Sequence, residues 1–207
     1  MRRVTAILFM TLLSLGACGP AWNGGKDSPS LEAPTSNTER ASAARADCLG
    51  RQGPAGLRPG DTFPALQYPN AEWEPVNIKE LCGSKAILVV SATEWCGSCL
   101  MEFDYLAGIA SEWDTRGVRI YYTLFEDMSR QPASRHAIRR LEDYMFEIYG
   151  STSFRVLADS TASLPRSLGG GLSLPVAWLL DEEMVVTNFS EGTNAPMVAE
   201  WVEAALR

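Results

Sequence analysis

The sequence predicts an α/β fold: a mixed central β-sheet flanked by helices, with an N-terminal β extension. Three observations carry this expectation. Short apolar runs alternate with stretches of helical period from residue 86 to residue 206. The last two runs, Pro175–Leu180 and Met184–Phe189, are separated only by a turn around Glu182 and Glu183, which makes them an antiparallel hairpin. The first run leads straight into Trp95-Cys96-Gly97-Ser98-Cys99 and the helical pattern behind it.

Thr62–Tyr68 and Trp73–Ile78 alternate apolar and polar residues around Pro69-Asn70 and read as a hairpin or a pair of extended pieces. Ile78–Leu81 reads as one helical turn and Ala86–Ala92 as a buried strand. From Cys96 to Trp113, Leu100, Phe103, Leu106, Ile109 and Ala110 recur at a helix period. Gly117–Phe125 is the next strand. Ala133–Tyr149 places Ile138, Leu141, Met145 and Ile148 inward, with Arg135, Arg139, Arg140, Glu142 and Asp143 outward. Phe154–Ala158 reads as a strand, Thr161–Leu168 as a short helix, and Ala195–Leu206 as a closing amphipathic helix. The order β-α-β-α-β-α-β-β-α implies parallel pairing with helices on both faces, and the terminal hairpin makes the sheet mixed.

The first 17 residues read as a secretory signal: Arg2 and Arg3, then an apolar run too short for a membrane span. Leu15-Gly16-Ala17-Cys18 resembles a bacterial lipobox, which implies cleavage before Cys18 and a lipid on its sulfur. The alternative is an ordinary signal peptide with a chance cysteine. Residue 19 is glycine and not aspartate, which in Gram-negative lipoproteins points to the outer membrane. Residues 18–46 are rich in Gly, Pro, Ser, Thr, Asn and Ala and read as a flexible tether reaching about 30 Å. Residues 47–207 form the one remaining domain. Loss of Arg2 and Arg3 takes the formal charge from −7 to −9, and the chain has no basic run, so nucleic acid is excluded as a partner.

The C-x-x-C at Cys96 and Cys99 carries the chemistry. A strand feeding a helix puts Cys96 at a helix N-terminus, where free N–H groups and the macrodipole favour its thiolate. Cys99 lies one turn on and can attack a mixed disulfide formed on Cys96. The bland readings are half of a zinc site or two structural thiols. Zinc needs four ligands, whereas Cys48 and Cys82 stand alone and His136 is the single histidine, so no metal is expected.

W-C-x-x-C after the first buried strand, Ser173-Leu174-Pro175 before a late strand, then a hairpin and a C-terminal helix resemble the thioredoxin fold. The chain is most similar to the extracytoplasmic TlpA-like family, in its lipoprotein form. Cys96-x-x-Cys99-x-x-Glu102 and Gly60-Asp-Thr-Phe-Pro64 fit that family's pattern, over about residues 57–206. The resemblance implies a thiol–disulfide oxidoreductase, facing the periplasm and held to a membrane by lipid on Cys18. Its partners are a protein disulfide client and an upstream electron-donor thiol protein. It needs no cofactor beyond the Cys96–Cys99 disulfide. In this fold the peptide before Pro175 is cis and leaves the backbone of Leu174 open to an extended substrate, and Trp95 packs beside the sulfurs. Two departures stand out: Ser98 where proline is usual, and Val90 where thioredoxin has a buried aspartate. Glu102 and Glu94 are the acids near enough in sequence to move protons in its place; the alternative for each is a solvated surface glutamate.

Cys48 and Cys82 flank the N-terminal segment and, in an oxidising compartment, are expected to form a structural disulfide contributing about 4 kcal/mol by chain entropy. The alternative is two buried free thiols. His136 is assigned no role and Met101 only packing. Cys96 is expected to be exposed and Cys99 buried. Glu94 and Glu102 flank the motif without a neighbouring Lys, Arg or His, so local charge opposes the thiolate unless Arg116, Arg155 or Arg166 approaches in the fold. That predicts a thiolate pKa of about 7 or above and a reducing potential toward about −270 mV. Two other functions compete. Thr93-x-x-Cys96 fits a peroxiredoxin-like thiol peroxidase, although Val89 stands where that family has proline. A non-catalytic binding lipoprotein would use the fold only as a scaffold.

Overall fold

A computed structural model describes residues 54–150, 154–169 and 171–207. The predicted signal and tether, with Cys18 and Cys48, lie outside the described residues. Strands β1 (Gln67–Pro69) and β2 (Pro75–Asn77) pair antiparallel, and Ile78–Leu81 is a 3₁₀ turn capped by the Asn77 side chain. There follow β3 (Ala86–Thr93), α1 (Gly97–Thr115), β4 (Val118–Glu126), α2 (Arg135–Tyr149), β5 (Arg155–Ala158) and α3 (Ser163–Ser167). The chain closes with β6 (Val176–Leu180), β7 (Val186–Glu191) and α4 (Ala195–Ala205).

The five long-sheet strands lie in the order β5-β4-β3-β6-β7. β3 pairs parallel with β4, as β4 does with β5, while β6 runs antiparallel to both β3 and β7. This is the mixed sheet expected. All eight residues of β3 are buried, because the strand is central and covered on both faces.

Helices lie on both faces, as expected, but cover them unequally. Leu88, Val90 and Ala92 pack with α1, α2 and α4 on one face. Ile87 and Val89 point the other way, into a layer made by Phe63, Tyr68, Ile78 and Trp178, to which α-helix contributes the short α3 through Leu164. The N-terminal extension thus does the work expected of a second helical layer.

Two boundaries move for local reasons, and one residue turns outward. β6 starts at Val176, since Pro175 has no N–H for the ladder. β7 starts at Val186: Met184 has φ 65°, in a turn held by the Asp181 carboxylate, which accepts from the N–H groups of Glu183 and Val185. Ile148, placed inward by periodicity, is 58% exposed, because the inward face of the last turn of α2 is taken by Met145 and Tyr149.

Candidate active site

β3 ends at Thr93, and the Glu94 N–H still donates to the Glu126 carbonyl at 3.0 Å before the chain turns into α1. Cys96 is the N-cap of that helix, with extended φ/ψ of −83° and 109°. Its Sγ accepts from the Cys99 N–H at 3.2 Å, so the first cysteine takes the place a serine or aspartate usually fills. Cys96 and Cys99 are joined as a disulfide. Cys96 is 8% exposed and Cys99 0%, so both are buried: the expected exposure of Cys96 is corrected, although it remains the more accessible of the two. Behind them the Tyr122 hydroxyl donates to the Cys99 carbonyl at 2.9 Å, and burial pushes its phenol well up.

The Leu174–Pro175 peptide is cis and faces this turn. Ser98 connects the two: its Oγ lies 3.2 Å from Cys96 Sγ and 3.3 Å from the Leu174 carbonyl oxygen. The fold therefore brings together Cys96, Cys99, Leu174 and Pro175, all named from sequence, and adds Ser98.

Glu94 and Glu102 are both buried, at 6% and 1%, which overturns the solvated alternative for each. Glu94 is clasped by Arg140, whose Nε donates to Oε1 at 3.0 Å and Nη2 to Oε2 at 2.7 Å; the Met128 N–H adds a bond at 2.9 Å. No salt bridge to Glu102 is formed among the described residues. The Thr193 hydroxyl reaches its Oε1 at 3.2 Å, and Oε2 finds no partner among the described residues. Desolvation pushes its carboxyl up to about 7, with the Thr193 bond opposing. Thr193 Oγ1 also lies 3.3 Å from the Pro175 carbonyl, so its single proton faces two acceptors.

Trp95 is half-buried beside the motif. Its Nε1 donates to Glu126 Oε2 at 2.7 Å, and the Arg130 guanidinium stacks on its ring at 4.2 Å. Arg130 reaches it from the 127–131 turn, where Asp127 Oδ1 accepts from the N–H groups of Ser129 and Gln131 and Arg130 adopts φ 58°. Trp95, Leu174, Arg130 and Arg166 line a groove of about 400 Å³. A concavity of about 500 Å³ between Arg119, Glu142 and Arg155 holds no cysteine, so size does not locate the chemistry.

The expected acidic surroundings need correcting. Arg140 neutralises Glu94, and Arg130 and Arg166 flank the groove. Arg116 instead pairs with Glu203, and Arg155 lines the other concavity. Among the described residues no charged side chain hydrogen-bonds the Cys96 sulfur, and no three His, Cys, Asp or Glu side chains gather to hold a metal.

The AhpC/TSA family matches residues 59–189. The chain belongs to that family. No curated protein sequence matches it. The structure resembles a thioredoxin-family thiol:disulfide interchange protein from Chlorobium tepidum TLS, with 18% identity, TM-score 0.55, and coverage of 74% of this chain and 100% of that one. It also resembles MTB dsbF, at 15% identity, TM-score 0.52 and coverage of 68% and 95%. Yeast mitochondrial 1-Cys peroxiredoxin is similar at 15% identity, TM-score 0.56 and coverage of 72% and 75%. The shared fold is that of thioredoxin, and this AhpC/TSA family member is a thioredoxin-like redox protein with a C-x-x-C disulfide.

Elsewhere in this family member, Cys82 is buried and disulfide-bonded, while Cys48, its predicted partner, lies outside the described residues. His136 is exposed, in keeping with no assigned role. Met101 is 70% exposed, so the packing role given to it is wrong: one residue before Glu102, it faces away from the stripe formed by Cys99, Glu102 and Leu106. That i, i+3, i+7 stripe was the sequence signal for a buried Glu102. No comparable signal marked Arg130 or Arg140.

Proposed function

We propose that the protein is an extracytoplasmic, membrane-tethered thiol–disulfide oxidoreductase that reduces protein disulfides. The observation that carries this is the Cys96–Cys99 disulfide at the start of α1, edge-exposed only at Cys96 and set against the Leu174 backbone. In the reduced form, Cys96 thiolate attacks one sulfur of a client disulfide. A Cys96–client bond forms, the client disulfide breaks, and the leaving thiolate takes a proton from water. Cys99 then gives up its proton, and its sulfur attacks Cys96; the second client thiol departs and the Cys96–Cys99 bond closes. Two electrons and two protons have moved to the client. A donor thiol protein restores the dithiol by the same exchange in reverse. Glu102, one turn beyond Cys99 and pushed up to about 7 by burial, is the proposed acceptor of the Cys99 proton. Trp95 and Leu174 with Pro175 form the docking surface.

The reductase direction is supported by the sparse stabilisation of Cys96, whose sulfur meets one backbone N–H and one hydroxyl but no cation. The tether reading rests on Cys18 in its lipobox, and a Cys48–Cys82 bond is supported by Cys82 being disulfide-bonded. Mass spectrometry of the unreduced, membrane-extracted protein is expected to find lipid on Cys18 and a bond from Cys48 to Cys82. Thiol peroxidase is the second reading, favoured by the buried Thr93 hydroxyl, which has no partner in the Thr93-x-x-Cys96 turn. A Cys99→Ser variant separates the two. The oxidoreductase accumulates a Cys96-linked mixed disulfide with its client and consumes no peroxide; a peroxidase turns over peroxide and traps nothing. Equilibration with glutathione buffers reads the direction, and a midpoint near −120 mV would overturn the reductase assignment.

A further inference from the structure

Ser98 is exposed, sits in the first turn of α1, and touches both halves of the site at once. Its hydroxyl is within 3.2 Å of Cys96 Sγ and 3.3 Å of the Leu174 carbonyl oxygen. A serine hydroxyl has one proton and so serves one acceptor at a time. In the disulfide, Cys96 sulfur is a weak acceptor and the carbonyl a strong one, so the proton belongs to Leu174. Reduction places charge on the sulfur, and a hydrogen bond to an ionised acceptor is roughly twice as strong as a neutral one. The balance then turns on what Leu174 loses when the hydroxyl leaves it. An extended polypeptide docked along Leu174 offers a backbone N–H to that carbonyl and removes the loss.

From this geometry we infer that Ser98 is a positioning residue that couples client docking to activation of Cys96: a client backbone that satisfies the Leu174 carbonyl releases the Ser98 hydroxyl to the Cys96 sulfur. No covalent bond changes at Ser98, and its proton stays on oxygen. The inference rests on the oxidoreductase reading and narrows its substrate class to disulfides carried in extended polypeptide. Small disulfides without a backbone amide leave the Leu174 carbonyl to compete for the same proton. Ser98 also gives the departure from proline a consequence, because proline has no hydroxyl to divide between the two acceptors.

The test uses full-length reduced protein and two probes: an unstructured peptide with one internal disulfide, and bis(2-hydroxyethyl) disulfide. Titration of the thiolate absorbance is expected to leave the Cys96 pKa of Ser98→Ala near wild type in the free protein, and to place it about one unit above wild type when the same peptide with both cysteines replaced by alanine is docked. One unit cuts the thiolate tenfold and raises its intrinsic nucleophilicity about threefold, so kcat/KM for the peptide at a pH below the pKa falls about threefold. The loss on the small disulfide is expected to be smaller, and Ser98→Thr is expected to restore both values. A pKa unmoved with the peptide docked, a full shift already present in the free protein, or equal losses on the two probes overturns the inference. A wild-type protein that reduces neither probe overturns the functional reading and this coupling with it, and equal losses with wild-type turnover intact overturn the coupling alone.

Discussion

Glu94 and Glu102 stand on either side of the disulfide, two residues before Cys96 and three after Cys99, and both are buried. Their chemistry nevertheless divides completely. Glu94 meets a bidentate arginine and a backbone N–H, so its charge is held in place and its oxygens are occupied. Glu102 meets one hydroxyl and keeps a bare oxygen, so burial sets its titration. Burial alone does not make a carboxylate useful to a proton transfer; burial without a cation does.

The largest expected effect comes from removing the difference at Glu94. Arg140→Ala leaves a buried carboxylate with one N–H, and chemical denaturation at neutral pH should show a loss of about 3 kcal/mol, the lower end for a broken buried pair because Arg140 is 54% exposed. An unchanged midpoint would mean that Glu94 escapes to water and that the contrast with Glu102 is smaller than drawn here.

Glu102→Gln comes next. The unfolded chain releases this proton near pH 4.5, whereas the folded protein keeps it to about 7. Stability therefore declines as pH rises through that window and levels off above it. The glutamine variant should lack that decline and exceed wild type by about 2 kcal/mol near pH 8, while resolving the mixed disulfide more slowly. Parallel stability curves for the two proteins would remove Glu102 from the titrating groups.

The smallest expected effect belongs to Thr193→Val, which deletes the hydroxyl between Glu102 and the Pro175 carbonyl. Loss of about 1 kcal/mol should accompany a further upward movement of the Glu102 titration, read by carboxyl NMR, because the Thr193 bond is what lowers it. A downward movement would show that Thr193 favours the protonated form.

The strands and helices were legible because periodicity and apolar runs record which side of each element meets the core, and β3 and α1 are clear instances. Cys96, Cys99 and Pro175 were legible through spacing and position. Glu94 was not, since its partner Arg140 lies 46 positions away on a helix face that read as solvated. Arg130 was hidden for another reason: it acts through a left-handed turn that Asp127 folds by capping two N–H groups, and no pattern in 127–131 announces which side chain that turn throws over Trp95. Ile148 and Met101 mislead in the opposite sense, as apolar residues on the solvent side of helices whose other face is buried.

The edges of the sheet bear on a different matter, namely how many copies can be packed side by side. Outer strand β5 is four residues long and begins with Arg155. Outer strand β7 is closed at its start by the chain before β1: the Gly60 N–H donates to Val186 O and the Val186 N–H to Asp61 O, each at 2.9 Å. Beyond that cover it presents Thr187, Asn188 and Ser190, and Arg58 lies across Phe189 at 4.5 Å. Neither rim offers a long flat apolar ladder, the template on which strands of separate molecules add to one another. Side-by-side copies therefore meet charge, polar side chains and a covered edge in place of a strand template.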